Sequence, residues 1–551
     1  MKSVYNRIAL FAVLLVCLLG YSISCGRVAK PASPRQLPTP VISPESGTYD
    51  TGSLTITIEC AASGESIYYT VDGSAPVNGD PSLLYSNPFI ITSSRTIRAK
   101  AYKIGSTESE IASSTYYLSP TTAATPTISP ETGQYTGTVL VTLECSTPEV
   151  DIYYTLDGTT PTNGGGTSTL YTPPYFELTT SKTVKARAFR VDLGDSATAV
   201  ATIDIFGWET LDDGMAGGGQ QVFALMVDED GTLYAGGAFT AAGGVPASNI
   251  AKWDGSSWSA VGNGFDGTVN AIFRAPNGSL YAGGEFNNSG ATPTSKVACW
   301  NGDAWVPLAD GVQTGTVYAL GSVGSGNLVV AGNYTYITNR LELFNNIAQW
   351  TGTTWETMDS GLGDPSSGDE VYTLATDASG NLYAGGDIYN FTPRYFAKWS
   401  GTAWVATGLD LNSRVYGITH DSNDVRYVTG GFSRRVGVTD MHYVAKWGGT
   451  QWMPLTQGTF EGIGIISDLR CLTADHSGNV YFGGSFTETG AGLPVNNIVK
   501  WTGTTFEALG TGTNNYVRAL AAGPDGSIYA GGDFTTAGGL TCNYIAKWAK
   551  K

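Results

Sequence analysis

Apolar and polar residues alternate in short runs along this chain, and beyond residue 220 the runs repeat as a unit. Four short strands fit each unit: a (Val222-Phe223-Ala224-Leu225), b (Leu233 to Phe239), c (Ile250 to Trp253) and d (Trp258 to Val261), parted by Gly, Asp and Asn turns. Anchored on Tyr234, Tyr281, Val329, Tyr383, Tyr427, Tyr481 and Tyr529, the units are spaced 47, 48, 54, 44, 54 and 48 residues apart. Such a period predicts a ring of similar four-stranded blades. The first Trp of the pattern Trp-x4-Trp-x2-apolar is filled seven times, by Trp253, Trp300, Trp350, Trp399, Trp447, Trp501 and Trp548. The second is filled six times, by Trp258, Trp305, Trp355, Trp404, Trp452 and Phe506, so the last unit lacks its final strand. Trp208-Glu209-Thr210-Leu211 supplies it from the front, predicting a seven-bladed ring with no open edge.

The residues before Trp208 hold a second repeat. Pro40-Val41-Ile42-Ser43-Pro44 recurs as Pro126-Thr127-Ile128-Ser129-Pro130, and Ile67-Tyr68-Tyr69-Thr70-Val71-Asp72-Gly73 as Ile152-Tyr153-Tyr154-Thr155-Leu156-Asp157-Gly158. Thr96-Ile97-Arg98-Ala99-Lys100-Ala101-Tyr102 recurs as Thr183-Val184-Lys185-Ala186-Arg187-Ala188-Phe189, with apolar residues on one side and charges on the other. Each copy reads as a small β-sandwich whose Asp-Gly pairs form turns. These three segments resemble the chitobiase/β-hexosaminidase C-terminal-type module. That resemblance implies an immunoglobulin-like accessory domain without catalytic residues, often found beside polysaccharide-active or surface domains.

The Gly-Gly doublet of strand b, the Trp-Asp/Gly turn and the second Trp are similar to kelch and galactose-oxidase-type propellers from Trp208 to Trp548. The resemblance implies the fold and leaves function open. Blades 3 and 5 carry Ala331 and Thr429 at the first Gly and are expected to differ locally. The fold class is therefore all-β: two small β-sandwich modules (40–119 and 125–205), then a seven-bladed β-propeller (206–551) closed by an N-terminal strand.

Strand reversal puts the short a–b and c–d turns on one face of the disc and the b–c and d–a loops on the other. Length variation sits in b–c segments such as Thr335 to Asn346 and Ser433 to His442, and in d–a segments such as Gly361 to Glu370 and Thr459 to Ser467. Variable loops on a rigid scaffold are where recognition resides, so the loop face is the expected binding face. The second residue of strand a there reads Phe223, Asn270, Tyr318, Tyr372, Tyr416, Arg470, Arg518. Tyr and Arg combine flat apolar area with donors and suit sugars, carboxylates or peptide aromatics. Tyr318, Tyr372, Tyr416, Arg470 and Arg518 are the candidate ligand-binding residues; inter-blade packing is the alternative for the same ring.

Composition narrows the function. A formal charge of −17 repels phosphate backbones, so nucleic acid is not an expected partner. Of the seven cysteines, Cys17 and Cys25 belong to the leader region; no metal spacing appears, and Cys60, Cys145, Cys299, Cys471 and Cys542 read as buried free thiols. His420, His442 and His476 fall in different turns and loops and do not converge on a metal, so the galactose-oxidase chemistry does not carry over. No G-x-S-x-G, H-E-x-x-H or P-loop appears. Glu285, Asp387 and Asp533 follow the Gly-Gly position in three blades, whereas Ala238, Asn333, Gly431 and Ser485 do so in the others, a pattern that suits solvation or local hydrogen bonds. No catalytic residue, cofactor or metal site is expected.

Residues 1–24 read as a signal peptide: Lys2 and Arg7, an apolar core from Ile8 to Gly20, then Ser22-Ile23-Ser24. With Cys25 following, the segment resembles a bacterial lipoprotein signal, though Ser22 stands where Leu is typical. Ser22 and Ser24 also suit ordinary cleavage, which would leave Cys25 a plain N-terminal residue. A Pro-rich tether (25–39) follows. The expectation is an exported, envelope-anchored binding or adhesion lipoprotein of the outer membrane or surface. Its expected partners are a membrane, through the lipid anchor, and a glycan or protein ligand; the alternative is a carbohydrate-active enzyme or polysaccharide-binding accessory.

Overall fold

The computed structural model describes residues 34–49, 51–118, 122–324, 326–337, 343–389, 394–409, 411–436, 439–457, 460–461 and 466–551. The expected signal peptide, the Cys25 attachment site and most of the tether lie outside them, as do parts of the variable loops named above. The chain is all-β and divides into two compact units.

The first unit is built on module 1. Strands Val41–Ser43, Leu54–Glu59 and Phe89–Ile91 form one sheet, and Gly47–Tyr49, Ala112–Leu118, Arg95–Tyr102 and Ser66–Thr70 the other. Alternation turns Ile56, Ile58, Ile97 and Ala99 inward onto Tyr116. Gly73 adopts φ +80°, and Asp72 Oδ1 accepts from the Ser74 backbone N–H at 2.9 Å. Asp157 repeats this with Thr159 in module 2 at 3.0 Å, so both Asp-Gly pairs are side-chain-capped turns.

The second unit holds the rest of module 2 together with the propeller, and one strand belongs to both. Ala199–Thr210 pairs with Lys182–Phe189 of the module through residues 199–203 and with the C-terminal strand Ile545–Lys550 through residues 206–210. Between these stretches it runs parallel to Gly133–Thr136. One eight-stranded sheet therefore continues from the module into blade 7. The backbone of Lys551 seals the seam, its N–H donating to Ile205 and its carbonyl accepting from Ser181.

Strand a of the seven blades spans Gln221–Val227, Val269–Arg274, Thr316–Val323, Glu370–Thr376, Val415–His420, Ile466–Ala474 and Val517–Ala522. Each packs on the next, and the seventh packs on the first. Within blades 1 to 6 the sheet order is a-b-c-d, and in blade 7 the Ala199–Thr210 strand takes position d.

The Trp-x2-apolar pattern acquires a physical reason. The second indole of a blade donates its N–H to the carbonyl three residues past the second Trp of the blade before, a position that is apolar except for Thr407: Trp258 to Leu211, Trp305 to Val261, Trp355 to Leu308 and Trp452 to Thr407, at 2.9–3.2 Å. Trp208 does the same to Leu509 at 2.9 Å, while Leu211 receives Trp258, so this segment carries the ladder across the closure. The buried Trp404 Nε1 finds no acceptor among the described residues, and Phe506 has no N–H to donate.

The Gly-Gly doublet also resolves into two jobs. A Cβ on the first Gly would lie 2.6 Å from Val269 at Gly236 and 2.5 Å from Val222 at Gly531, so the next blade's strand a fills that space. Thr429 is tolerated in blade 5 because its cross-strand partner there is Gly417, where blade 1 has Ala224. The second Gly faces the backbone of its own strand a: a Cβ on Gly237, Gly284, Gly332, Gly386, Gly430, Gly484 or Gly532 would come within 2.0–2.1 Å of a carbonyl oxygen.

Two expectations need correction. The blade 5 segment Ser433 to His442 is not an irregular loop: strands Arg426–Val436 and Thr439–Trp447 extend through it as a paired hairpin. The thiols are not uniformly buried: Cys542 is, whereas Cys60, Cys299 and Cys471 are partly covered. Cys60 directly follows the end of strand Leu54–Glu59, and Cys299 sits on the outer half of its blade. Burial pushes the Cys542 thiol up to about 11 from 9.0. Its contribution to stability is whole below pH 9.0 and declines as pH rises towards 11, because the unfolded thiol ionises first. At pH 8, iodoacetamide followed by mass spectrometry is expected to leave Cys542 unmodified in the native protein and to label it after denaturation.

Candidate functional site

All seven ring positions share a backbone feature that periodicity did not reveal. In every blade the a–b register shifts at that residue: between Val222 and Ala224, Val269 and Ala271, Val317 and Ala319, Val371 and Thr373, Val415 and Gly417, Leu469 and Cys471, and Val517 and Ala519. Phe223, Asn270, Tyr318, Tyr372, Tyr416, Arg470 and Arg518 are thus β-bulge residues. A bulge re-aims its side chain and breaks the inward–outward alternation. The second Gly of each doublet is what lets the bulged backbone approach.

The bulges bring the five candidate residues into one arc with their neighbours. Tyr318 and Tyr372 stand 5.7 Å apart between ring centroids, and Tyr372 and Tyr416 5.4 Å apart. The Arg470 guanidinium lies 4.1 Å over Tyr416, and its Nε donates to the Tyr516 hydroxyl at 3.2 Å. Arg518 is 4.9 Å over Tyr516 and 5.3 Å over Phe223. Asn270 joins through its side-chain amide, which donates to the Val317 carbonyl at 3.3 Å.

Carboxylates hold the cations. Arg518 makes a two-pronged pair with Asp533, both bonds 2.6 Å. Arg470 reaches Asp468 at 2.5 Å and Arg414 reaches Asp387 at 3.2 Å. Two of the three carboxylates that follow Gly-Gly therefore position arginines at the ring. Their irregular occurrence had pointed to local bonding, which is what Asp387 and Asp533 do; Arg414, Asp468 and Tyr516 were missed, because each stands one residue before the repeating Val or Leu of strand a, where residue type varies.

Electrostatics follow from this crowding. Burial raises the Tyr372 hydroxyl pKa well above its ordinary value, and the hydrogen bond and charge of Glu370 add to it. Burial also raises Tyr318, again helped by Glu370. Burial raises Asp387 too; Arg414 opposes this while Glu370 and Asp369 reinforce it. Arg470 is held charged: burial works against its charge, but Tyr516 and Asp468 outweigh it.

On the opposite face three a–b turns bond within themselves. In the a–b turns Asp377, Asp421 and Asp475 each accept from their own turn backbone and from the hydroxyl of Tyr383, Tyr427 or Tyr481. A cleft of about 1000 Å³ between module 2 and blades 6 and 7, lined by Tyr135, Phe206, Lys500, Glu507 and Lys547, was not foreseen. Two of its lysines are matched internally, Lys500 to Glu507 at 3.0 Å and Lys547 to Asp525 at 3.1 Å. Among the described residues no group of three or more His, Cys, Asp or Glu is placed to hold a metal.

No curated protein matches the chain. Among solved structures, the extracellular domain of BT4673 from B. thetaiotaomicron is similar over 62% of this chain and 39% of its own, at 13% identity and TM-score 0.39. That of BT3049 from the same organism is similar over 82% and 54%, at 10% identity and TM-score 0.42. The chain thus spans about two-fifths and half of those two proteins. An auxiliary nutrient binding protein from Bacteroides ovatus is similar over 78% of this chain and 98% of its own, at 12% identity and TM-score 0.33. At such scores the likeness assigns neither ligand nor activity. Residues 523–547 match the model of a β-propeller domain of unknown function, DUF5122, and residues 44–115 and 130–202 each match the chitobiase/beta-hexosaminidase C-terminal domain.

Proposed function

We propose that this chain is an exported, envelope-anchored binding protein, held to a membrane through a lipidated Cys25, that recognises its ligand on the loop face of the propeller without transforming it. The leader grammar and Cys25 support the export and anchor. The two modules, whose type is non-catalytic, serve as spacers. The observation that carries the recognition reading is the ring of bulged residues: seven blades each place a re-aimed side chain at one level, and Tyr318, Tyr372, Tyr416, Arg470 and Arg518 form contiguous flat surfaces with donors. Tyr and Arg are the residue types that dominate binding energy when they cluster at a site.

The test is binding of the full chain to glycan and peptide arrays, with product analysis of every hit. Saturable binding to an intact ligand is expected, weakened roughly thirtyfold by Tyr372→Ala or Arg470→Ala, the loss of about 2 kcal/mol that marks a central contact. Cleaved ligand would replace this reading with an enzyme. Binding unmoved by either substitution would remove the ring from it.

A further inference from the structure

We propose that the blade 4 sector of this ring recognises a primary ammonium group, borne by an amino sugar or a lysine side chain. The inference rests on the recognition reading above and adds the ligand chemistry.

The arginine arc is poorly suited to anions, because its charges are already matched. Arg470 faces Asp468 and Arg518 faces Asp533, so an anionic ligand would have to displace a carboxylate from either. The sector around blade 4 has the opposite balance. Glu370 and Asp387 are directly opposed residues on strands a and b, and such pairs hold their Cβ atoms about 5 Å apart. Arg414 serves Asp387, while Glu370 takes its hydrogen bonds from neutral donors, the Asn333 amide at 2.6 Å and the Tyr372 hydroxyl. Glu370 and Asp387 thus share one cation, and with the charge of Asp369 also acting on Asp387 the balance beside the half-buried rings of Tyr318 and Tyr372 is negative.

Aromatic faces attract cations, and the ring uses this attraction twice already: Arg470 over Tyr416 and Arg518 over Phe223. Tyr318 and Tyr372 continue the same wall, and among the described residues no cation covers them. An ammonium group there would donate to Glu370 and Asp387 while its adjoining C–H groups lie on the tyrosines. A calcium ion is a poorer fit, since it needs six or more oxygen ligands where the sector offers two carboxylates and an aromatic wall. The acidic chain would also draw a cationic ligand in from solution.

The test titrates the full chain, by calorimetry at near-physiological salt, with two matched series. One is a β-1,4 glucan pentamer bearing at C2 an ammonium, an acetamide or a hydroxyl group; the other is a short lysine peptide and its side-chain-acetylated form. In one series the ammonium member is expected to bind about tenfold or more tighter than its neutral counterparts, and that series identifies the source. Glu370→Gln should erase the preference, while Asp303→Asn, on a c–d turn of the opposite face, should keep it. Equal binding of the neutral members, a preference that survives Glu370→Gln, or one lost equally with Asp303→Asn would overturn the inference. A neutral ligand that Tyr372→Ala weakens would overturn it while upholding the recognition reading. If neither series binds, the ammonium inference falls, and the recognition reading falls separately if the wider arrays are silent.

Discussion

Trp208→Ala is expected to destabilise the propeller by about 4–8 kcal/mol, a larger effect than any single loop substitution would have. Removing a buried Trp side chain costs about 3–5 kcal/mol through lost transfer energy and the cavity left behind. Trp208 is 3% exposed and packs edge-on against Trp548, with ring centroids 5.5 Å apart. Its indole N–H also satisfies the Leu509 carbonyl, and a buried acceptor left without a partner costs about 1–3 kcal/mol more. Because Trp208 sits where the first and last parts of the propeller meet, the loss falls on the closure. A drop in melting temperature of roughly 5–10 °C by circular dichroism is expected. Trp208→Phe keeps most of the packing and loses the donor, so it should fall between wild type and Trp208→Ala. A Trp208→Ala protein that melts like wild type would mean that the closure bears little of the propeller's stability.

Gly386→Ala should damage stability and recognition together. The added Cβ would lie 2.0 Å from the Glu370 carbonyl oxygen, a backbone atom that cannot step aside without moving strand a. Overpacking of this kind costs about 1–3 kcal/mol, and more where backbone is the obstacle. The backbone that must yield carries the Tyr372 bulge and the Glu370–Asp387 pair, so any ligand held there should be lost as well. Gly431→Ala is the control: its nearest neighbour is the Ser413 hydroxyl at 3.4 Å, and its stability should stay near wild type. Urea unfolding compares the two, and ligand titration reports the site. Equal behaviour of the two variants would show that the bulge tolerates a side chain opposite it.

The blade count, the displaced closing strand and the ring positions were legible because each leaves a residue at a fixed interval. Trp258 and its counterparts mark strand d, and Trp208 reveals the borrowed one. The bulges were not legible, since a register shift depends on how two strands meet. Their trace was present all the same in the second Gly of each doublet, which repeats even where the first becomes Ala331 or Thr429. The arginine–carboxylate pairs escaped for another reason. Arg518 and Asp533 lie in one blade, but Arg414 and Asp387 lie in neighbouring blades, so no single spacing describes both. The hairpin over Ser433 to His442 was hidden because its Arg434-Arg435 and Gly437 pattern has the polarity of a loop, and cross-strand pairing overrode it.

The strand shared by module 2 and blade 7 has a mechanical consequence. Tension entering the propeller from its N-terminal side travels along Ala199–Thr210, whose hydrogen bonds to Lys182–Phe189 on one stretch and Ile545–Lys550 on the other run across the direction of pull. Such bonds are loaded in shear, all at once, and must break together instead of opening one after another. The joint between module and propeller is therefore built to bear load, and stretching the chain from its N-terminal end against a ligand-held propeller should leave this seam intact longer than a peeled edge strand would last.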